Sequence, residues 1–292
     1  QDEVIDPVLD EIFDLVWFND QFIRVYIPEG AENLPVVVWN HGAGEGYRET
    51  NGVNNEGAQL YANEGGLGWI TDKYPAIVIA PQRGTGTGYS QANTLAYIES
   101  LAKEGKADLN RVYVGGCSAG GGETLSYLRN FPTFFAAAVP VCPAGSLNAA
   151  QSEIVADIPM WFFQSADDPT IKAERTRATI ANLETAKAKE VLYTEVENLP
   201  YTEDGVDYTY NGHWSWILPL NNYYSEEYQT NVHDWLFSKV YEPIARFDIE
   251  TEVMEYGSDT AKVIIDMKKA IDAETLTKET FTVNAKNISP LV

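Results

Sequence analysis

The chain has 292 residues, 45% of them hydrophobic and 22% charged, the proportions of a globular protein with a substantial core, which excludes disordered and fibrous classes. With 43 acidic side chains against 20 basic ones, the net charge is −23, a polarity that repels a polyphosphate backbone and excludes nucleic acid as an expected partner. The longest apolar run, Phe134 to Cys142, contains Pro140 and is about half of the roughly 18 residues that cross a bilayer, so no membrane span is expected.

In chain order, short apolar β-rich runs alternate with helical patterns from residue 12 to 240, the signature of a mostly parallel sheet covered by helices. Eight strands are predicted: Ile12–Phe18, Phe22–Ile27, Val36–Asn40, Ile77–Ala80, Val112–Gly115, Ala137–Val141, Met160–Gln164 and Val191–Val196. The turn Asn19-Asp20-Gln21 makes the first two an antiparallel edge hairpin. Helices are predicted at Glu56–Asn63, Asn93–Lys103, Gly121–Asn130, Ile171–Lys187 and Glu227–Val240. The last fifty residues read differently, as strands at Ala245–Glu255, Lys262–Met267 and Thr280–Val283. The division expected is a catalytic domain over 1–242 and a β-rich segment over 243–292.

The sharpest chemical signal is Gly116-Cys117-Ser118-Ala119-Gly120, between an apolar strand and a helical run. A serine on a sharp strand-to-helix turn is lifted into the open, and its small neighbours let the chain pass close to adjacent elements. The same turn aims the amino end of a helix at the place where an oxyanion forms. Ser118 is therefore the candidate nucleophile.

A serine hydroxyl needs a base, and there are three histidines to choose from. His233 lies inside a helical run, and His41 ends an apolar strand. His213, in Asn211-Gly212-His213-Trp214 after the eighth strand, alone satisfies the chain order nucleophile, acid, histidine. The acid belongs between Ser118 and His213, in Gln164-Ser165-Ala166-Asp167-Asp168-Pro169. Asp168 is preferred because Pro169 biases it toward an extended backbone; Asp167 is the alternative. The loop His41-Gly42-Ala43-Gly44 after the third strand can present the Ala43 N–H to a tetrahedral intermediate together with that of Ala119, with His41 propping the loop.

Two cysteines and three histidines, none at ligand spacing, predict no zinc site; no metal and no other cofactor is expected. Cys117 and Cys142 follow strands expected to be neighbours, which fits either a disulfide or two buried thiols. The amino end, Gln1-Asp2-Glu3, lacks the features of a signal peptide. That leaves a cytosolic protein or a secreted one whose signal has been removed.

These motifs resemble the α/β-hydrolase superfamily. Within it, His41-Gly42-Ala43-Gly44-Glu45, Gly116 to Gly121, Gln164 to Pro169, Gly212-His213, Pro81-Gln82 and Trp235-Leu236 are similar to secreted carboxylesterases related to polyhydroxybutyrate depolymerases and feruloyl esterases. The likeness covers residues 12 to 240. It implies an α/β-hydrolase fold with an eight-stranded, mostly parallel sheet, and a serine-esterase mechanism that uses Ser118, His213 and Asp168 with Ala43 and Ala119 as oxyanion donors. It also implies secretion. Gln164-Ser165 stands where this branch usually has His-Gly, and Cys117 where a larger apolar residue is common. The tail, through Ala261–Asp266, Ile271–Leu276 and Thr280–Val283, resembles the opening strands of an immunoglobulin-like module.

The expected substrate is a short-chain or aromatic acyl ester, either a small molecule or one linked to a polysaccharide. Aromatic residues crowd His213, and Tyr210, Trp214 and Trp216 are the candidate binding residues. A serine peptidase of the same superfamily is the enzymatic alternative, though no propeller domain fits in the short lead-in before the first strand. A carbohydrate-binding or adhesion protein with a vestigial hydrolase domain is the non-enzymatic one. Sequence gives no reading of oligomeric state.

Overall fold

The computed structural model describes residues 11–43, 64–83, 89–241, 246–254 and 257–266. The chain divides into two compact units, Gln1–Tyr241 and Glu242–Val292. The predicted helix at 56–63 and the predicted strand at 280–283 lie outside the described residues.

In the first unit, eight strands form one sheet: β1 (Asp14–Phe18), β2 (Gln21–Tyr26), β3 (Leu34–Asn40), β4 (Ile77–Pro81), β5 (Ala107–Cys117), β6 (Ala137–Val141), β7 (Met160–Ser165) and β8 (Val191–Val196). Their spatial order is β1-β2-β4-β3-β5-β6-β7-β8. The first two strands pair antiparallel, β2 pairs antiparallel with β4, and every pair from β4 to β8 is parallel. This is the predicted eight-stranded, mostly parallel sheet, with Asn19 and Asp20 at φ 48° and 60° closing the edge hairpin as a two-residue turn.

Central strands of such a sheet are apolar on both faces, and the alternation of side chains sorts them into two cores. Val36, Val38, Ile77, Ile79, Val112, Val114 and Phe162 share one core, while Val37, Trp39, Val78, Tyr113, Val139, Trp161 and Phe163 share the other. The first is covered by α2 (Gln91–Lys103), α3 (Ala119–Asn130) and α5 (Ala173–Thr185), which contribute Leu95, Ile98, Leu101, Leu125, Leu128 and Leu183. The opposite face receives Leu67 of the short α1 (Glu64–Leu67) and Val232, Trp235 and Leu236 of α7 (Val232–Phe237). Burial of a Val, Leu, Ile or Phe side chain stabilises by about 1.5–3 kcal/mol, so these layers anchor the carboxyl ends of β3, β5 and β7, from which the candidate site is built.

Several elements differ from expectation. β5 starts five residues earlier than predicted, at Ala107. A helix not predicted, α4 (Ala149–Val155), is started by a reciprocal cap in which Asn148 and Gln151 each accept from the other's main-chain N–H. A second hairpin, β9 (Leu199–Glu203) with β10 (Val206–Tyr210), and the short α6 (Ile217–Leu220) were also unforeseen. The predicted helix 227–240 shrinks to α7, because Asn231 accepts the Asp234 N–H at 2.8 Å and caps it there; the preceding residues form the small hairpin of β11 (Tyr224–Ser225) and β12 (Thr230–Asn231).

The second unit, taken by itself, contains β13 (Arg246–Met254) and β14 (Gly257–Asp266), an antiparallel pair whose register shifts between Glu250 and Thr251.

Candidate active site

Ser118 occupies the turn between β5 and α3 at φ 54° and ψ −116°, a region that non-glycine residues avoid. The neighbouring strand holds it there. The Ser118 N–H donates to the Val141 carbonyl at 3.0 Å, and the Ser118 carbonyl accepts from the N–H groups of Gly122 at 3.0 Å and Ala144 at 2.8 Å. The turn is crowded enough that a Cβ on Gly120 would lie 1.9 Å from the Asn40 carbonyl oxygen, and one on Gly116 2.5 Å from the Gly120 carbonyl oxygen. Glycine at these positions is a steric requirement.

Asp168 follows β7 and is fully buried. Its Oδ1 accepts the N–H groups of Thr170 at 2.8 Å and Ile171 at 2.9 Å, and its Oδ2 accepts the Gln164 amide at 3.0 Å. Gln164 thus fixes the acid; the same amide donates to the Ile171 carbonyl, and its oxygen accepts the Thr176 hydroxyl. Asp167, the alternative acid, is exposed, and its Oδ1 accepts the Ser165 hydroxyl at 2.5 Å.

His213 sits on a single turn of 3-10 helix, Gly212–Trp214, capped by the Asn211 side chain, which accepts the His213 N–H at 2.9 Å. A Cβ on Gly212 would lie 2.1 Å from Asp167 Oδ1, so the close approach of this turn to the acid loop depends on glycine. The imidazole bridges the other two groups: Nδ1 is 2.9 Å from Asp168 Oδ2, and Nε2 is 3.0 Å from Ser118 Oγ. With Nδ1–H donating to the carboxylate, Nε2 faces the serine hydroxyl as an acceptor. Three residues far apart in sequence therefore meet at the carboxyl ends of β5 and β7 and the loop beyond β8.

The loop carrying Ala43 leaves β3 beside this cluster. His41 is 2% exposed, with Nδ1 at 2.7 Å from the Gly42 carbonyl and Nε2 accepting the Arg83 N–H at 3.0 Å. Arg83 also donates through its guanidinium to the His41 carbonyl and pairs with Glu123 at 3.7 Å. Burial, reinforced by the Arg83 charge, lowers the His41 pKa to about 4, so the ring is neutral and able to serve as donor and acceptor at once. It ties the start of the loop to the end of β4, the propping role expected of it. Ala43 is exposed and Ala119 half-buried at the first position of α3.

Of the candidate binding rings, Trp216 touches His213 itself, and Tyr210 and Trp214 lie close to it in the chain. Trp216 meets the imidazole edge to face at 5.5 Å between centroids and 86° between planes, while Tyr210 lies 5.9 Å from Trp214. Trp216 packs partly into the core, whereas Trp214 is 45% exposed. Of the other rings around His213, Tyr223 packs on Phe163 instead.

Cys117 and Cys142 are both buried and both free. Among the described residues, Cys142, Asp168 and His213 place potential ligand atoms within 4.8 Å of one another. In this cluster both imidazole nitrogens are already engaged, by Asp168 and Ser118, so it is a hydrogen-bonded unit with no free imidazole nitrogen to offer a metal. The roles of Gln164, Arg83, Asn211 and Cys142 were not foreseen from sequence; an amide three residues before two adjacent acids was the one available hint.

A sequence model of the prolyl oligopeptidase family matches residues 81–197. Among curated proteins no sequence match is found. The fold is similar to the crystal structure of a thermostable esterase, at 27% identity and a TM-score of 0.61 over 80% of this chain; the chain spans 64% of that esterase's length. It is also similar to a ferulic acid esterase, at 14% identity and a TM-score of 0.48, covering 63% of this chain and 89% of the other. A Pyrococcus horikoshii acylaminoacyl peptidase aligns at 17% identity and a TM-score of 0.45, over 68% of this chain and 39% of the other. With its mostly parallel sheet, strained serine turn and Ser118–His213–Asp168 contact, the chain has the α/β-hydrolase fold.

Proposed function

We propose that the protein is a serine carboxylesterase acting on short-chain or aromatic acyl esters through an acyl-enzyme. The observation that carries this reading is the continuous line Asp168 Oδ2, His213 Nδ1, His213 Nε2, Ser118 Oγ, with both links within hydrogen-bond range. Ser118 Oγ attacks the ester carbonyl carbon while its proton passes to His213 Nε2, and the imidazolium formed is balanced by the buried Asp168 carboxylate. The carbonyl oxygen becomes an oxyanion, received by the N–H groups of Ala43 and Ala119. Collapse breaks the bond to the alcohol, which leaves with the proton from Nε2. Water then repeats the sequence on the acyl-serine, with Nε2 again taking a proton, and releases the acid. Tyr210, Trp214 and Trp216 flank the substrate. The 27% identical thermostable esterase supports this reading.

A serine peptidase is the second reading, favoured by the prolyl oligopeptidase match. The chemistry is shared; the leaving group is an amine instead of an alcohol. The test is to assay the protein on nitrophenyl esters from acetate to palmitate, on feruloyl esters and on peptide nitroanilides. Ester turnover that Ser118→Ala reduces by more than about 100-fold supports the esterase, and nitroanilide turnover without ester preference selects the peptidase. Residual ester hydrolysis above about 1% in Ser118→Ala overturns both.

A further inference from the structure

The hairpin of β9 and β10 pairs with no other strand among the described residues, yet one of its faces is a row of aromatic rings. Tyr201 and Tyr208 are directly paired across the strands, and Tyr210 is the diagonal neighbour. Their rings stack, Tyr201 on Tyr208 at 5.2 Å and 22°, and Tyr201 on Tyr210 at 3.9 Å and 18°. From Tyr210 the row passes to Trp214, beside His213 in the chain, at 5.9 Å. None of these four rings belongs to either core of the sheet, and the two ends of the row, Tyr208 and Trp214, are each 45% exposed.

Exposed rings that do not contribute to a core are the composition of a binding surface. The row has a direction, because it starts at the residue next to His213. In ester hydrolysis the protonated imidazole gives its proton to the departing alcohol, and a row that starts at the next residue along the chain is within reach of that leaving group. We infer that the hairpin 199–210 and Trp214 form a binding site for the neutral polysaccharide chain whose hydroxyl carries the ester. The C–H faces of pyranose rings match the negative faces of aromatic rings, several sugars in succession match a row of rings, and a protein of net charge −23 disfavours acidic glycans. The inference rests on the esterase reading of Ser118.

The experiment compares wild type with Tyr208→Ala, an exposed site whose truncation leaves the cores intact. The expected result is a fall of at least tenfold in the ratio of kcat/KM on acetylated xylan to kcat/KM on nitrophenyl acetate, carried by KM on the polymer. In parallel, Ser118→Ala protein is run in native gels containing deacetylated xylan, with polygalacturonate as the acidic control. Retardation by xylan alone, lost in the Ser118→Ala, Tyr208→Ala double variant, supports the site. An unchanged kcat/KM ratio, no retardation, or retardation by polygalacturonate overturns it while wild type still cleaves nitrophenyl acetate. Absence of that cleavage in wild type is the separate failure of the esterase reading, and it overturns the alcohol-side assignment with it.

Discussion

The thiol of Cys142 donates to the main-chain carbonyl of His213 across 3.4 Å, so the residue that follows β6 holds the histidine loop from beneath. Its own backbone is pinned by an N–H bond to the Phe163 carbonyl at 2.8 Å and has φ 32°. Removing this weak donor in Cys142→Ala takes a partner from a half-buried carbonyl, at a cost of about 0.5–1.5 kcal/mol. The expected outcome is a lower melting temperature and a several-fold lower kcat, with KM less affected. A variant equal to wild type in both would show that the contact does not position His213.

The same thiol should be chemically quiet. Burial pushes the Cys142 pKa to about 12, and the thiolate is the reactive form. Iodoacetamide at pH 8 is expected to leave Cys142 unmodified in the folded protein and to label both cysteines after unfolding. A mass about two units lower in the unreduced protein would instead reveal a disulfide between Cys117 and Cys142.

Asp168→Asn should lower kcat by roughly 10³-fold or more, since the amide no longer balances the imidazolium. Asp167→Asn, at an exposed carboxylate outside the hydrogen-bonded line, should stay within about tenfold of wild type. Steady-state kinetics on one nitrophenyl ester decides between them, and the reverse ranking would move the acid by one residue.

His41 makes the stability of the loop carrying Ala43 depend on pH. Its pKa is about 4 in the folded protein against an ordinary 6.5, so between those values the unfolded chain binds a proton that the folded chain refuses. Stability therefore rises with pH across this window and falls on acidification, by up to ~3 kcal/mol from this group. Denaturant titrations at pH 7 and pH 4 should show His41→Gln losing less stability on acidification than wild type by that order. Equal losses would mean that the ring is not held neutral.

Gly120→Ala should be among the most damaging single-methyl additions, because its Cβ would fall 1.9 Å from a main-chain oxygen. Gly122→Ala, whose nearest contact would be 3.1 Å, serves as the comparison. Loss of several kcal/mol and of activity is expected for the first, and a small change for the second; thermal melting of both checks it.

Much of this was legible in the residues. The strands announce themselves because both faces of a covered parallel sheet are apolar, so Val36-Val37-Val38-Trp39 and Met160-Trp161-Phe162-Phe163 read as uninterrupted runs. Glycine placement and chain order singled out Ser118 and His213, whose side chains lie 3.0 Å apart. The β9–β10 hairpin was missed although Asp204-Gly205, with φ 50° and 76°, is the turn that its twist requires; its aromatic residues were read as candidates for a cleft or a core and not as a strand face. Helix 227–240 was overextended because Asn231 reads as polar surface until its side chain is seen capping Asp234. Cys142 was invisible as a partner of His213 because nothing local in sequence reports a contact between segments 71 residues apart, whereas Gln164 reaches Asp168 only four residues along the chain and was hinted at only by its place just before the two acids.

The φ of 54° at Ser118 also means that the folded protein is not at its stability optimum. A side chain in that conformation costs on the order of 1–3 kcal/mol, and glycine adopts it freely. The Ser118→Gly protein should therefore outlast the native one in denaturant, so robustness alone does not account for a serine at this turn. On the esterase reading, the reactivity of Ser118 is what this permanently strained peptide supports, at the expense of resistance to unfolding.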